Sequence, residues 1–199
     1  MALFYNNTNV PVSGNVTYNG TGCSTVTYNG TQVWKRAPEW LYNSGNQYTE
    51  FTGGWNAQAA YYLGGSAGTN YYRNQTASTP AFNASNISVT CTGNYLGGGS
   101  VITNWKVDLS AISSLTASIN VFDQYETYSY FYIHILNSWP TINADNTSVA
   151  ATYVTGVSKT TSVTLNTSGL SGGYYVLMGF SNNNSRSFTG YIYSLKCNF

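Results

Sequence analysis

"LTASINVF", residues 115 to 122, decides the class of fold. Leu115, Ala117, Ile119 and Val121 fall on one side of an extended chain, and Thr116, Ser118 and Asn120 on the other. That period of two marks a strand with one face in a core and one toward water. A helix would scatter the same four apolar residues around its circumference. "TNWKVDL", residues 103 to 109, repeats the pattern, with Trp105, Val107 and Leu109 opposed to Asn104, Lys106 and Asp108. Farther on, "SVTL" (162 to 165), "GYYVLMGF" (173 to 180) and "FTGYIYSLKC" (188 to 197) read as three more strands, the first two joined by the polar turn "NTSGLSGG". Such runs suit half-buried strands of antiparallel sheets.

Composition agrees. The 199 residues are enough for one sizeable domain, or for a small module followed by a larger one. Only 7% of residues are charged and the net charge is +1, so neither a basic footprint for nucleic acid nor an acidic one for cations is present. Nineteen Tyr, five Trp and abundant Asn, Ser, Thr and Gly favour strands and turns over helices. No run approaches the roughly 20 apolar residues that cross a bilayer, and membrane insertion is not expected. The start "MALFYNNTNVPV" has neither a basic region nor a long apolar stretch, and no leader is expected there. Cys23, Cys91 and Cys197 are too few for a disulfide framework, and the odd count leaves at least one free thiol. A Cys91 to Cys197 bridge stays open at this point.

Near the N-terminus the phrase VTYNGT occurs twice, at Val16 to Thr21 and Val26 to Thr31. Asn19-Gly20 and Asn29-Gly30 tolerate positive φ at low cost, and each follows a short Val-Thr-Tyr strand. The repeat therefore predicts successive hairpins in a small meander, ending at Lys35-Arg36-Ala37-Pro38. The segment "TVTYNGTQVW" resembles one found near the N-termini of tail and appendage proteins of bacteriophages that infect Gram-positive gut bacteria. The resemblance implies a structural segment and, for the whole chain, a virion protein assembled in the host cytoplasm and released by lysis.

The stretch "YETYSYFYIHIL", residues 125 to 136, carries the candidate site. Phe131, Ile133 and Ile135 share one strand face; Glu126, Tyr128, Tyr130, Tyr132 and His134 share the other. Rings and hydroxyls in one row can stack on a sugar and hold its hydroxyls, or pack against another layer or subunit. The row is thus a candidate glycan or subunit-contact face.

Catalysis finds little support. The acids are Glu39, Glu50, Asp108, Asp123, Glu126 and Asp145, and the single histidine is His134. No pair is marked out for glycoside hydrolysis, there is no G-x-S-x-G elbow, and "GNYLGGGS" (93 to 100) lacks the Lys and helix of a phosphate loop. No spacing suits zinc. No enzyme activity and no cofactor are expected, with a structural calcium held by loop oxygens left open.

The order of the C-terminal strands, a short Val-Thr-Leu strand, a Ser-Gly turn, a Tyr-Tyr-Val-Leu strand and a closing aromatic strand, resembles the end of jelly-roll modules in carbohydrate-binding proteins and phage appendages. The expectation is an all-β chain: a hairpin attachment module over 1 to 36, then a jelly-roll-like β-sandwich over 37 to 199. The expected role is that of a non-enzymatic tail appendage or capsid-surface protein, contacting other virion proteins, copies of itself and host surface glycans. The resemblance implies trimers. The alternatives are a secreted bacterial carbohydrate-binding module and, less favoured, a glycan depolymerase.

Overall fold

The computed structural model describes residues 39–45, 80–91, 97–122, 129–140, 145–155, 160–182 and 187–199. It also describes the short strands 3–5, 8–10, 17–18, 21–22, 25–28, 31–35, 55–58, 62–64 and 76–77. Every regular element described is a strand. No described helix is long and apolar enough to cross a membrane.

Eight strands build a sandwich: β1 (Ile87–Cys91), β2 (Gly97–Thr103), β3 (Ser114–Phe122), β4 (Ser129–Leu136), β5 (Ala150–Thr155), β6 (Thr161–Asn166), β7 (Gly173–Asn182) and β8 (Phe188–Asn198). One sheet has the order β1-β8-β3-β6 and the other β2-β7-β4-β5, all neighbours antiparallel. The chain alternates between sheets except at β4 to β5, and both sheets mix early and late strands. That connectivity is the double Greek key of a jelly roll. A further strand, Trp40–Asn43, lies beside β8 beyond β1.

The core lies between the sheets. Leu115, Ala117, Ile119 and Val121 of β3 all face it, as their alternation requires, and meet Val176, Met178 and Phe180 of β7 and Phe131, Ile133 and Ile135 of β4. Each such side chain is worth roughly 1.5–3 kcal/mol when fully buried. On β8 the alternation slips: Ile192 and Leu195 both point inward. A register shift opposite Ser118/Ile119 leaves Tyr193 unpaired with β3 and re-phases the strand. The Tyr193 carbonyl is taken instead by the Ser44 amide at 2.8 Å.

Several expectations need correction. Of "TNWKVDL", Thr103 still belongs to β2, the chain leaves the strand at Asn104–Lys106, and Val107–Asp108 pairs separately, against Gly173–Tyr174 of β7. The chain bends at Asn104–Trp105 because Thr103, the last residue of β2, takes the Val176 amide on its Oγ1 at 3.1 Å. The inward set Val107 and Leu109 is nonetheless buried. The bridge between Cys91 and Cys197 is excluded. Cys91 lies opposite Phe188, and Cys197 is nine residues along β8, about 30 Å away at strand rise. Both are free and buried. At the N-terminus, Thr17–Tyr18 pairs with Thr21–Gly22 and Thr25–Tyr28 with Thr31–Lys35, each across a two-residue connection. Among the described residues these are two two-stranded pairs. The Asn-Gly residues themselves lie outside the described residues.

Candidate functional site

The outward face of the β2-β7-β4-β5 sheet holds the row singled out in the sequence. Glu126 and Tyr128 lie outside the described residues. Tyr130 is half-buried, whereas Tyr132 is 1% and His134 3% exposed. Tyr132, Leu136, Leu177 and Ile102 form a second, smaller cluster on this face, flanked by Tyr130 and Tyr175. The described part of the row is therefore a packed layer, and of its three described candidates only Tyr130 keeps appreciable access to water.

Local sequence explains that packing. Across from Tyr132 stand Gly179 and then Ser100, and a Cβ on Gly179 would come within 2.8 Å of the Tyr132 hydroxyl and 2.3 Å of the Gly99 carbonyl. The missing side chain is the space the tyrosine occupies. His134 stands edge-on to Tyr132, ring centroids 5.5 Å apart, and its Nδ1 is hydrogen-bonded to Ser148 Oγ at 2.5 Å. Burial disfavours the imidazolium and pushes the His134 pKa down to about 4. The histidine is thus held neutral as part of the layer.

The open part of the face lies at the sheet end where β4 finishes and β7 begins. Trp139, three residues past β4, is 38% exposed and stands at 89° to the Tyr175 ring, centroids 5.3 Å apart. Tyr175 projects outward from β7 opposite Leu136. Lys106 completes the group: its Nζ sits 5.7 Å from the Tyr175 centroid. Glycine again makes the room, because a Cβ on Gly173 would lie 3.0 Å from Lys106 Cβ, so the lysine stem can run across it. A cation over a ring face is favourable by about 0.5–1 kcal/mol when exposed. On the same sheet face Tyr153, opposite Tyr132 on the edge strand β5, is 53% exposed.

Two rings at a right angle, with an ammonium over one of them, offer stacking surface and hydrogen-bond donors together. Two carboxylates are employed elsewhere: Glu39 pairs with Lys196 at 3.3 Å, and Asp108 accepts from the Ser110 amide and hydroxyl at 3.0 and 2.6 Å. Among the described residues, no three of His, Cys, Asp and Glu gather as a metal site. Sequence reasoning missed Trp139, Tyr175 and Lys106 as a group, since they come from three segments with no shared spacing. The one local signal is Trp139-Pro140, an aromatic set in a polar loop directly after a strand.

No protein-family model matches the chain, and no curated protein matches it in sequence. Solved structures do. One is a carbohydrate-binding module of the β-sandwich superfamily with promiscuous specificity (13% identity, TM-score 0.44, 85% of this chain and 66% of that one). Another is the N-terminal cellulose-binding domain of β-1,4-glucanase C from Cellulomonas fimi (11% identity, TM-score 0.42, 82% and 97%). A third is a glycoside hydrolase family 43 arabinoxylan arabinofuranohydrolase from Bacillus subtilis (15% identity, TM-score 0.38), where the match covers 60% of this chain and 22% of the enzyme. At such identities the likeness is one of fold.

Proposed function

We propose that the jelly roll is a non-enzymatic glycan-binding module whose ligand lies against Trp139 and Tyr175, beside Lys106. The observation that carries this is the right-angled pair of exposed Trp139 and half-buried Tyr175 beside a cation on the sheet face, in a chain with few charges. A sugar presents apolar C–H faces that stack on rings, and hydroxyls or a carboxylate that an ammonium can hold. Of the readings drawn from sequence, glycan binding is the one this cluster supports. The employment of Glu39 and Asp108 in structural contacts fits a binding role better than hydrolysis. Display on a phage particle, implied by the N-terminal resemblance, is compatible with it, and the position of the gene among capsid and tail genes is the test of that part.

The binding test uses the full chain against soluble and insoluble polysaccharides and a glycan array. At least one glycan class is expected to bind, with Trp139→Ala and Tyr175→Ala each weakening affinity by about 1–3 kcal/mol, as for anchoring aromatics, while the melting temperature moves by only a few degrees. A blank array for the folded protein, or full affinity in both variants, would sink the proposal.

A further inference from the structure

We propose that β6 is a self-pairing edge: two copies of the chain join antiparallel through β6, with Thr164 on the two-fold axis, making one continuous sheet across the dimer. β6 ends the order β1-β8-β3-β6, and no described strand lies beyond it. It has no Pro, no bulge against β3 and no charged residue, and none occurs from Thr160 to Gly173. Those are the features by which natural edges are usually protected.

The register follows from the backbone. The Thr167 amide donates to the Ser113 carbonyl at 3.0 Å, one step beyond the Ser114↔Asn166 pair. By the alternation of an antiparallel ladder, odd-numbered amides of β6 turn toward β3, and those of Ser162, Thr164 and Asn166 turn away from it. An added strand must therefore form its bonded pairs with these three. Centring on Thr164 sets Thr164 against Thr164 of the second copy, Ser162 against Asn166, and Val163 against Leu165. The sequence "TSVTLNT", residues 161 to 167, is symmetric in chemistry about that point: hydroxyl, polar, aliphatic, Thr, aliphatic, polar, hydroxyl.

Side-chain burial points the same way. Val163 and Leu165 retain 7% and 4% exposure, while their partners on β3, Ala117 and Leu115, retain none. A second copy would bring Val163 onto Leu165 and close that seam. On the outer face, Thr164 already meets Thr116 hydroxyl to hydroxyl at 3.0 Å, and the pairing extends this line across the axis. The edge strand β5 of the other sheet reads Ala-Ala-Thr-Tyr-Val-Thr and has no such symmetry. An edge that complements itself closes on a two-fold, so the predicted species is a dimer rather than the trimer implied by the phage resemblance.

Sedimentation velocity on the full chain at micromolar concentration should show a dimer. Ser162→Lys with Asn166→Lys places like charges opposite each other twice, and should raise the dissociation constant by at least about tenfold. Ser162→Lys with Asn166→Glu places opposite charges there and should restore the dimer. Within one chain the two positions are about 13 Å apart, so the difference between the variants reports the contact between copies. Both side chains are exposed, and circular dichroism checks that the fold survives. Hydrogen exchange on the unaltered protein gives an independent reading: the amides of Ser162, Thr164 and Asn166 should be protected at high concentration and exchange on dilution. A monomer at micromolar concentration, a dimer indifferent to the double lysine, or exchange of these amides that ignores concentration would overturn the proposal.

Discussion

Stability should fall with acid along a course set mainly by one residue. His134 is buried neutral, with its pKa near 4 against about 6.5 in an unfolded chain. Between those values the unfolded state binds a proton that the folded state refuses, so acid favours unfolding. The contribution of a neutral His134 is complete above about pH 6.5 and is lost as pH falls toward 4. At about 1.4 kcal/mol per pH unit the interval amounts to about 3 kcal/mol, a large part of a typical folding free energy. Its described neighbours include Ser148 on Nδ1, the Tyr132 ring, and Leu177 and Ala151 on the adjoining strands. With only six carboxylate side chains in the chain, few other groups can mask the effect. Urea unfolding at a series of pH values from neutral downward should give a midpoint that drops steadily through the window. His134→Gln should be less stable at neutral pH, because its amide must find partners in a cavity shaped for imidazole, but its midpoint should be much flatter with pH. A flat profile for the unaltered protein, or the same slope in His134→Gln, would refute the reasoning.

Two further outcomes follow from packing. Gly190→Ala places a methyl 2.6 Å from ring carbons of Phe180, which is hemmed in by Phe131 and Phe188 at 5.1 and 6.3 Å. Overpacking of about 1–3 kcal/mol, less about 0.4–1 kcal/mol from the stiffer unfolded chain, should lower the melting temperature by up to about 10 °C, and Phe180→Leu in the same chain should recover part of the loss; a neutral Gly190→Ala would show that the ring can move aside. Burial raises both core thiols, Cys197 to about 12 and Cys91 further still, so neither is a thiolate at neutral pH. Mass spectrometry after iodoacetamide should find both unmodified in the native protein and modified in urea, and rapid native labelling of either would contradict their placement.

The strands of the first sheet were legible because water lies on one side of them. In β3 and β6 apolar and hydroxyl residues alternate, and burial follows residue by residue. β4 was harder to read. Phe131, Ile133 and Ile135 face the core as expected, but Tyr132, His134 and Leu136 are buried as well, and a period of two carries no information when both faces are covered. The rings looked like a surface row because each has a polar tip. What buries them is the smallness of their neighbours, Gly179 and Ser100, which sequence distance conceals. The group of Trp139, Tyr175 and Lys106 was out of reach for a similar reason, since it depends on Lys106 lying across Gly173. The double lysine-stem and tyrosine accommodation at two glycines is a property of strand register, which single-strand patterns do not report.

The place of β8 in its sheet bears on how the chain is made. It is the last of the eight strands to leave the ribosome, yet it sits between β1 and β3, pairing with β3 along most of its length and with β1 over Phe188 to Ile192. Until Phe188 to Asn198 emerges, the inner faces of β1 and β3 have no strand to bridge them, and the sheet cannot close. The nascent jelly roll must therefore wait with apolar strands open, and its folding is a late, long-range event of the slow kind. Truncations that stop short of residue 188 should accordingly yield aggregates rather than smaller folded domains, which makes the completed strand the point at which the chain commits to its fold.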